Sequence, residues 1–308
     1  MSRRALGALL PCLLLGCGAA EPVDEARSPI IGGTVTTGDP AVMLLVSYPP
    51  DLSTFDSCTA ALIAPDVLVT AAHCVDAKDH PGYLFGVFTG PDATAYATAD
   101  VLVPQLVPVK EAHAHPDYDP LPPYHADLGV VVLEKAVTTA PLPVNRAPLG
   151  ASSVGEAARI VGYGQPMYGT YSPVKREAST VVDALGADDT VAVGDTMHRS
   201  CVGDSGGPAL VKVDGVETIV GVDSYTELAG CLEPANYRRT DAYLPFLDTY
   251  APPPAAVDAG ADGGEGGDAG TTEPPASGGC AVGAGSRDGG AGVALLLLAL
   301  ALGGRRRR

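Results

Sequence analysis

Residues 201–208 read Cys-Val-Gly-Asp-Ser-Gly-Gly-Pro, which sets Ser205 among glycines whose backbone amides can face one reacting oxygen. That is the composition of a nucleophile beside an oxyanion hole, with the amides of Gly203 and Ser205 as the candidate donors. A serine hydroxyl is a weak nucleophile near neutral pH and needs a base within hydrogen-bond reach. His73, in Val69-Thr70-Ala71-Ala72-His73-Cys74, offers the imidazole. Asp127, which leads into the apolar run 128–133 and is expected to be half-buried, offers the carboxylate to orient it and to stabilise the imidazolium. Taken singly, the three read as a turn serine, a packed histidine and a capping aspartate. Three separated motifs in His, Asp, Ser order make acyl transfer the coherent chemistry.

The elements that must position these residues are short and β-rich. Apolar and β-branched runs recur at 42–48, 59–63, 67–70, 101–109, 130–133, 159–161, 180–182, 208–213 and 218–222, separated by turn residues, and this spacing predicts an all-β domain. Helical periodicity is scarce until 241–250, where Tyr243, Leu244, Phe246 and Leu247 make one short apolar face before Pro252. The remaining histidines, His80, His113, His115, His125 and His198, lie in loop-like settings and are assigned no chemistry.

Together with Ile30-Ile31-Gly32-Gly33, Gly162-Tyr163-Gly164 and Ser224-Tyr225, the three motifs resemble the trypsin and chymotrypsin family of serine endopeptidases over residues 30–250. The resemblance implies two packed six-stranded antiparallel β-barrels with a short C-terminal helix and the active site between them. It makes His73, Asp127 and Ser205 catalytic. It pairs Cys58 with Cys74 and Cys201 with Cys231, which residue spacing alone leaves open among three pairings. It also implies an activation pair, in which the freed amino group of Ile30 meets Asp204, so that residues 18–29 form a propeptide and an activating protease is a partner. Here Ser28-Pro29 stands where relatives carry a basic residue.

The substrate-binding positions implied by the same resemblance depart further. Arg199 occupies the place of the aspartate used for trypsin-type recognition and should repel basic P1 side chains. Asp223, before the substrate-aligning Ser224, replaces an apolar wall residue and is placed to pair with Arg199 across the pocket. Tyr225 stands for a common tryptophan and Thr226 for a common glycine, while Glu227, Leu228 and Ala229 extend the rim. A neutral, partly filled pocket follows, with small or acidic P1 residues expected.

The whole chain bounds these readings. Its 308 residues suit one domain of this size with extensions, and a formal charge of −17 excludes a nucleic-acid binder, which needs a basic face. Metal ligation finds no CxxC or HExxH spacing, and no cofactor is expected. The two disulfides require an oxidising compartment. Residues 1–17 carry Arg3 and Arg4, an apolar stretch and Leu14-Leu15-Gly16-Cys17, the layout of a lipoprotein signal peptide with Cys17 as the lipid site. Segment 251–279 holds 13 glycines and prolines in 29 residues and no basic residue, which reads as a disordered linker. Cys280, the apolar run 291–302 and Arg305 to Arg308 resemble MYXO-CTERM sorting signals; at about 1.5 Å per residue the run falls short of an about 30 Å hydrocarbon core. The expected partners are protein or peptide substrates, C-terminal sorting machinery and a membrane reached through the terminal anchors. The expected location is the surface, outer membrane or exterior of a bacterium. The rival reading is a catalytically silent surface protein that uses the same fold for binding.

Overall fold

The computed structural model describes residues 30–164, 173–227 and 230–253. The signal peptide with Cys17, the propeptide, the linker beyond Pro253, the sorting segment with Cys280, and rim residues Leu228 and Ala229 lie outside the described residues. Among those described, no helix is long and apolar enough to cross a membrane.

A two-residue strand, β1 (Thr34–Val35), precedes two closed sets of six strands. The first set comprises β2 (Val42–Tyr48), β3 (Asp56–Ala64), β4 (Val67–Thr70), β5 (Leu84–Phe88), β6 (Val107–Ala114) and β7 (Gly129–Leu133), and it closes in the order β2-β3-β4-β7-β6-β5. The second comprises β8 (Ala157–Gly162), β9 (Arg176–Leu185), β10 (Thr190–Val193), β11 (Pro208–Val213), β12 (Val216–Tyr225) and β13 (Ala235–Arg239). It runs β9-β10-β13-β12-β11-β8 and closes because β8 pairs back onto β9, with β1 added to the outer side of β9. Every pairing is antiparallel, as hairpin-length connections allow.

The period-2 alternation of side chains explains why β2 is apolar on both faces from Val42 to Val46. Met43 and Leu45 pack inside the first barrel with Leu62, Leu68 and Val131. Val42, Leu44 and Val46 face the other way, into a second apolar layer that takes in Val161, Tyr163, Leu210, Ile219 and Val222 from the other barrel. The interface between barrels is therefore a core in its own right. Tyr243 and Leu247 of the C-terminal segment join it, Leu247 from α2 (Leu244–Tyr250), and Pro252 follows where the helix stops.

Two departures from the sequence reading have local causes. Where a strand is expected from residue 101, the chain forms a short helix, α1 (Ala99–Leu102), and one tighter turn through Gln105. Pro104 stands in the first turn of that tighter helix, where its missing N–H is not needed, and strand pairing starts at Val107. Strands β5, β10 and β13 are not legible in the apolar pattern. β10 has only four residues, and β13 reads Ala-Asn-Tyr-Arg-Arg, whose charges hide that Tyr237 and Arg238 are both fully buried.

Electrostatic pins tie the N-terminal segment to the second barrel. Arg159 on β8 donates to Asp39 (2.7 and 2.8 Å), Glu217 (2.6 and 2.8 Å) and Glu177 (2.6 Å), and these acids raise its already high pKa. The buried Nζ of Lys175 donates to the carbonyls of Gly38 and Asp39 at 3.1 and 2.8 Å and lies over the Tyr163 ring. Burial lowers the Lys175 pKa to about 8.

Candidate active site

His73 sits on the single turn Ala72–Cys74 that follows β4, and Cys74 is bonded to Cys58 on β3. Asp127 lies two residues before β7. Because β4 and β7 pair with Thr70 opposite Gly129, their register brings these two short exits together. One oxygen of Asp127 accepts the His73 backbone N–H at 2.9 Å; the other accepts His73 Nδ1–H at 2.9 Å and the Ser224 hydroxyl at 2.6 Å. With its lone pairs so used, Asp127 is fully buried rather than half-buried. Burial alone would push its pKa up, but the His73 hydrogen bonds and charge and the Ser224 hydroxyl outweigh that and hold it below the usual range. For His73, burial pulls the pKa down, and the hydrogen bond and charge of Asp127 more than reverse it, so the imidazole is more basic than usual.

The loop bearing Ser205 is held from both barrels. On the first, the Ser205 carbonyl accepts the Thr59 N–H at 2.8 Å; on the second, Gly206 N–H donates to the Asp223 carbonyl at 2.8 Å and Asp223 N–H to the Gly207 carbonyl at 2.9 Å. Gly206 has φ of +81°, and a Cβ there would stand 2.2 Å from both the Thr59 carbonyl oxygen and Thr70 Oγ1, so only glycine passes between the barrels at this point. Gly203 is also left-handed, with φ of +88°. His73, Gly203 and Ser205 line one cleft of about 470 Å³, together with Cys58, His80 and Val202.

Behind that loop, Asp204 is buried and accepts N–H bonds from Ile30 (2.9 Å), Gly164 (2.8 Å) and Cys201 (3.0 Å). Burial nonetheless pushes its pKa up to about 6 against the pull of those bonds. Ile30, a β-branched residue, is held at φ of +40°, a region such side chains avoid. The disulfide Cys201–Cys231 ties the loop to the segment after β12.

The expected Arg199–Asp223 pair does not form. Arg199 is buried and donates to the carbonyls of Cys231, Thr196 (2.6 Å) and Asp195 (3.5 Å), and no ion pair with Asp223 occurs among the described residues. The backbone accounts for this. The carbonyls of its own loop and of the neighbouring disulfide lie closer to the guanidinium than the carboxyl across the pocket, and they satisfy its donors. Asp223 is left buried without a cation, and its pKa rises to about 8, through burial first and the Asp204 charge second. Ser224 is the residue that reaches Asp127. Tyr225 ends β12 with its ring 5.4 Å from that of Tyr124, and Thr226 follows it.

Comparison with known proteins fits this geometry. The family model Trypsin matches residues 30–247, most of the chain. The chain belongs to the Trypsin family. Among relatives, it is 28% identical to a trypsin of Saccharopolyspora erythraea (71% of this chain, 96% of that one) and 25% identical to a tryptase of Mus musculus (79% and 96%). It is 23% identical to chymotrypsin-like elastase family member 1 of Bos taurus (77% and 94%). The solved structure of GrC shares the fold with a TM-score of 0.57 at 20% identity, covering 71% of this chain and 97% of that one. By family the chain is a trypsin-like serine protease.

As a Trypsin-family site, it includes residues the sequence reading did not name. Arg238 is fully buried beneath the Tyr225 ring (5.7 Å to the centroid) and donates to the carbonyls of Asp188 (2.7 Å), Pro123 and Tyr124 (2.6 Å each). It thereby joins the loop that leads to Asp127 to the strand that carries Ser224. Thr59 serves three segments at once, since its hydroxyl also accepts the Tyr163 N–H at 3.0 Å. Neither residue carries a motif, and a charged pair at 238–239 in a strand is the only signal that one side chain points inward. The groups of Cys58, His73 and Cys74 cluster within 4.8 Å, but both sulfurs are consumed in the disulfide, so the cluster offers no zinc site.

Proposed function

We propose that this Trypsin-family chain is an active endopeptidase in which Ser205, His73 and Asp127 carry the reaction. The observation that supports this best is the threefold anchoring of one buried carboxylate by His73 N–H, His73 Nδ1–H and Ser224 Oγ–H, which fixes the ring and its tautomer and leaves Nε2 as the acceptor. Ser205 Oγ attacks the peptide carbonyl while Nε2 takes its proton. The amides of Gly203 and Ser205 bind the oxyanion, each donor contributing about 2.7–4 kcal/mol to the barrier reduction. His73 then delivers the proton to the departing amine, and water repeats the sequence to release the acyl group.

The reading extends to maturation and location. Cleavage before Ile30 would convert the N–H already directed at Asp204 into an ammonium; it would also abolish the strained φ, which exists only while residue 29 is attached. Recognition at P1 uses residues other than an acid at position 199, because arginine stands there. The terminal segments export the protein and hold it at a bacterial surface through the sorting machinery or a lipid. The test is covalent labelling by a fluorophosphonate probe of protein beginning at Ile30. We expect labelling that Ser205→Ala abolishes; no labelling of the parent protein would turn the reading toward a binding protein.

A further inference from the structure

Asp56 and Asp79 line the cleft of about 470 Å³ that holds His73, Gly203 and Ser205, and the mechanism uses neither. The lining includes no lysine or arginine; its basic side chains are His73 and His80. Asp56 begins β3, opposite Ser47 of β2, two residues before the disulfide-bonded Cys58. Asp79 lies in the loop that follows the His73 turn. The Asp76 carbonyl accepts the N–H groups of Asp79 (3.1 Å) and His80 (2.9 Å), and His80 Nε2–H donates to the His73 carbonyl at 3.2 Å, so this loop folds back against the catalytic histidine. Burial lowers the His73 pKa and Asp127 reverses it; the Asp79 charge adds to the reversal. Both acids are exposed, and no ion pair holds either one among the described residues.

A substrate with its scissile carbonyl at Ser205 has one arm on each side of the bond. The arm before the bond belongs to the β12 side, where Ser224 and Tyr225 stand, and no residue from 223 to 226 lines the cleft of Asp56 and Asp79. The arm after the bond departs as the amine that His73 protonates, and His73 faces this cleft. That arm therefore runs along the first barrel, past the Cys58–Cys74 disulfide and Val202. A second cleft of about 570 Å³ shares Asp56 and adds Asp100, so the acidic wall continues beyond the first. An extended peptide advances about 3.3–3.6 Å per residue with side chains on alternate sides, so successive residues pass these carboxylates. An acidic side chain there meets like charge. Lysine or arginine can lay its methylenes on the disulfide and bring its charge to an unpaired carboxylate.

Building on the endopeptidase reading above, we propose that Asp56 and Asp79 select lysine or arginine among the first few residues after the scissile bond, on the leaving-group side of the cut. Both carboxylates stay in water, so each contributes a modest factor, about two- to fivefold. This selection is made on the first barrel and acts whatever side chain is read before the bond.

A random peptide library, cut by protein shown to be active by fluorophosphonate labelling and read by mass spectrometry on both sides of each cut, tests this. In matched peptides that differ only after the bond, lysine and arginine should exceed leucine by about threefold and glutamate by about tenfold in kcat/KM. The preference should weaken as salt is raised. Both ratios should fall toward unity in the double variant Asp56→Asn, Asp79→Asn. No cation preference after the bond, or one that survives in the double variant, overturns the proposal and leaves the endopeptidase reading intact. If the double variant does not fold, acyl transfer in the parent protein decides. An added amine attacks the acyl carbon, His73 takes its proton, the Ser205–acyl bond breaks and a new amide leaves. Argininamide should compete with water for the acyl group better than leucinamide does, by about threefold. Equal competition overturns the proposal. Failure of the parent protein to label removes the endopeptidase reading, and this proposal with it.

Discussion

Asp127 receives every donor that orients His73 and has no exposure to water, so its effect on rate is geometric as well as electrostatic. Asp127→Asn keeps the shape but puts an N–H where an acceptor is needed, which turns the imidazole to the wrong tautomer. A loss of about 10⁴-fold in kcat is expected, with an unchanged circular dichroism spectrum. The pH profile should move as well. In the parent protein Asp127 raises the His73 pKa above 6.5, so activity falls as pH drops through a midpoint above that value. With the carboxylate gone, burial, the largest influence on the ring, is opposed only by the weaker charges of Asp223 and Asp79, and the midpoint should move down. Measuring kcat/KM from pH 5 to 9 for both proteins checks the direction. At this scale His73, Asp127 and Ser205 were legible because each lies in a short motif. Arg199 was misread because a sequence states a residue's position and not which neighbouring carbonyls its side chain will find.

Elements transmit these residue effects through register. The pairing of Thr70 with Gly129 sets His73 beside Asp127, and the Asp223 backbone bonds set the Ser205 loop against β12. Arg238 joins the remaining pieces by holding the 123–124 loop and the Asp188 turn against β13 and supporting Tyr225. Arg238→Met keeps the volume but removes the donor shared by the part-buried carbonyls of Asp188, Pro123 and Tyr124. A loss of about 1.5–3 kcal/mol of stability is expected in denaturant unfolding. KM for extended peptides should rise more than kcat falls, since Tyr225 and Tyr124 lose their support while His73 and Asp127 do not. Most strands could be placed from their apolar runs. β13 could not, because the inward-facing Arg238 looks in sequence like a solvent-facing charge. The start of β6 was misplaced because the valine-rich run 101–109 continues across the helical turns Ala99–Leu102 and Val103–Gln105 without a change in apolar pattern.

Across the whole molecule, the N-terminal residue of the described domain and the nucleophile loop, 174 positions apart, meet at one buried carboxylate. In the uncut chain the Ile30 nitrogen is a neutral amide, and Asp204, its pKa raised by burial to about 6, binds a proton more readily when folded than when unfolded. The sign follows directly: the uncut protein loses stability from this site as pH rises from about 4 through 6. Cleavage before Ile30 supplies an ammonium, which lowers the Asp204 pKa and raises that of the amine. The cut protein should therefore melt higher than the uncut one at neutral pH. The gap should narrow as pH falls below about 6, close once pH lies below the lowered Asp204 pKa of the cut form, where the carboxyl is protonated in both, and close again at alkaline pH as the amine is neutralised. Thermal melts of the two forms from pH 3 to 10 measure it. A gap constant across that range would mean that the new terminus does not pair with Asp204, and that the oxyanion loop takes its shape from the Thr59 and Asp223 backbone bonds alone.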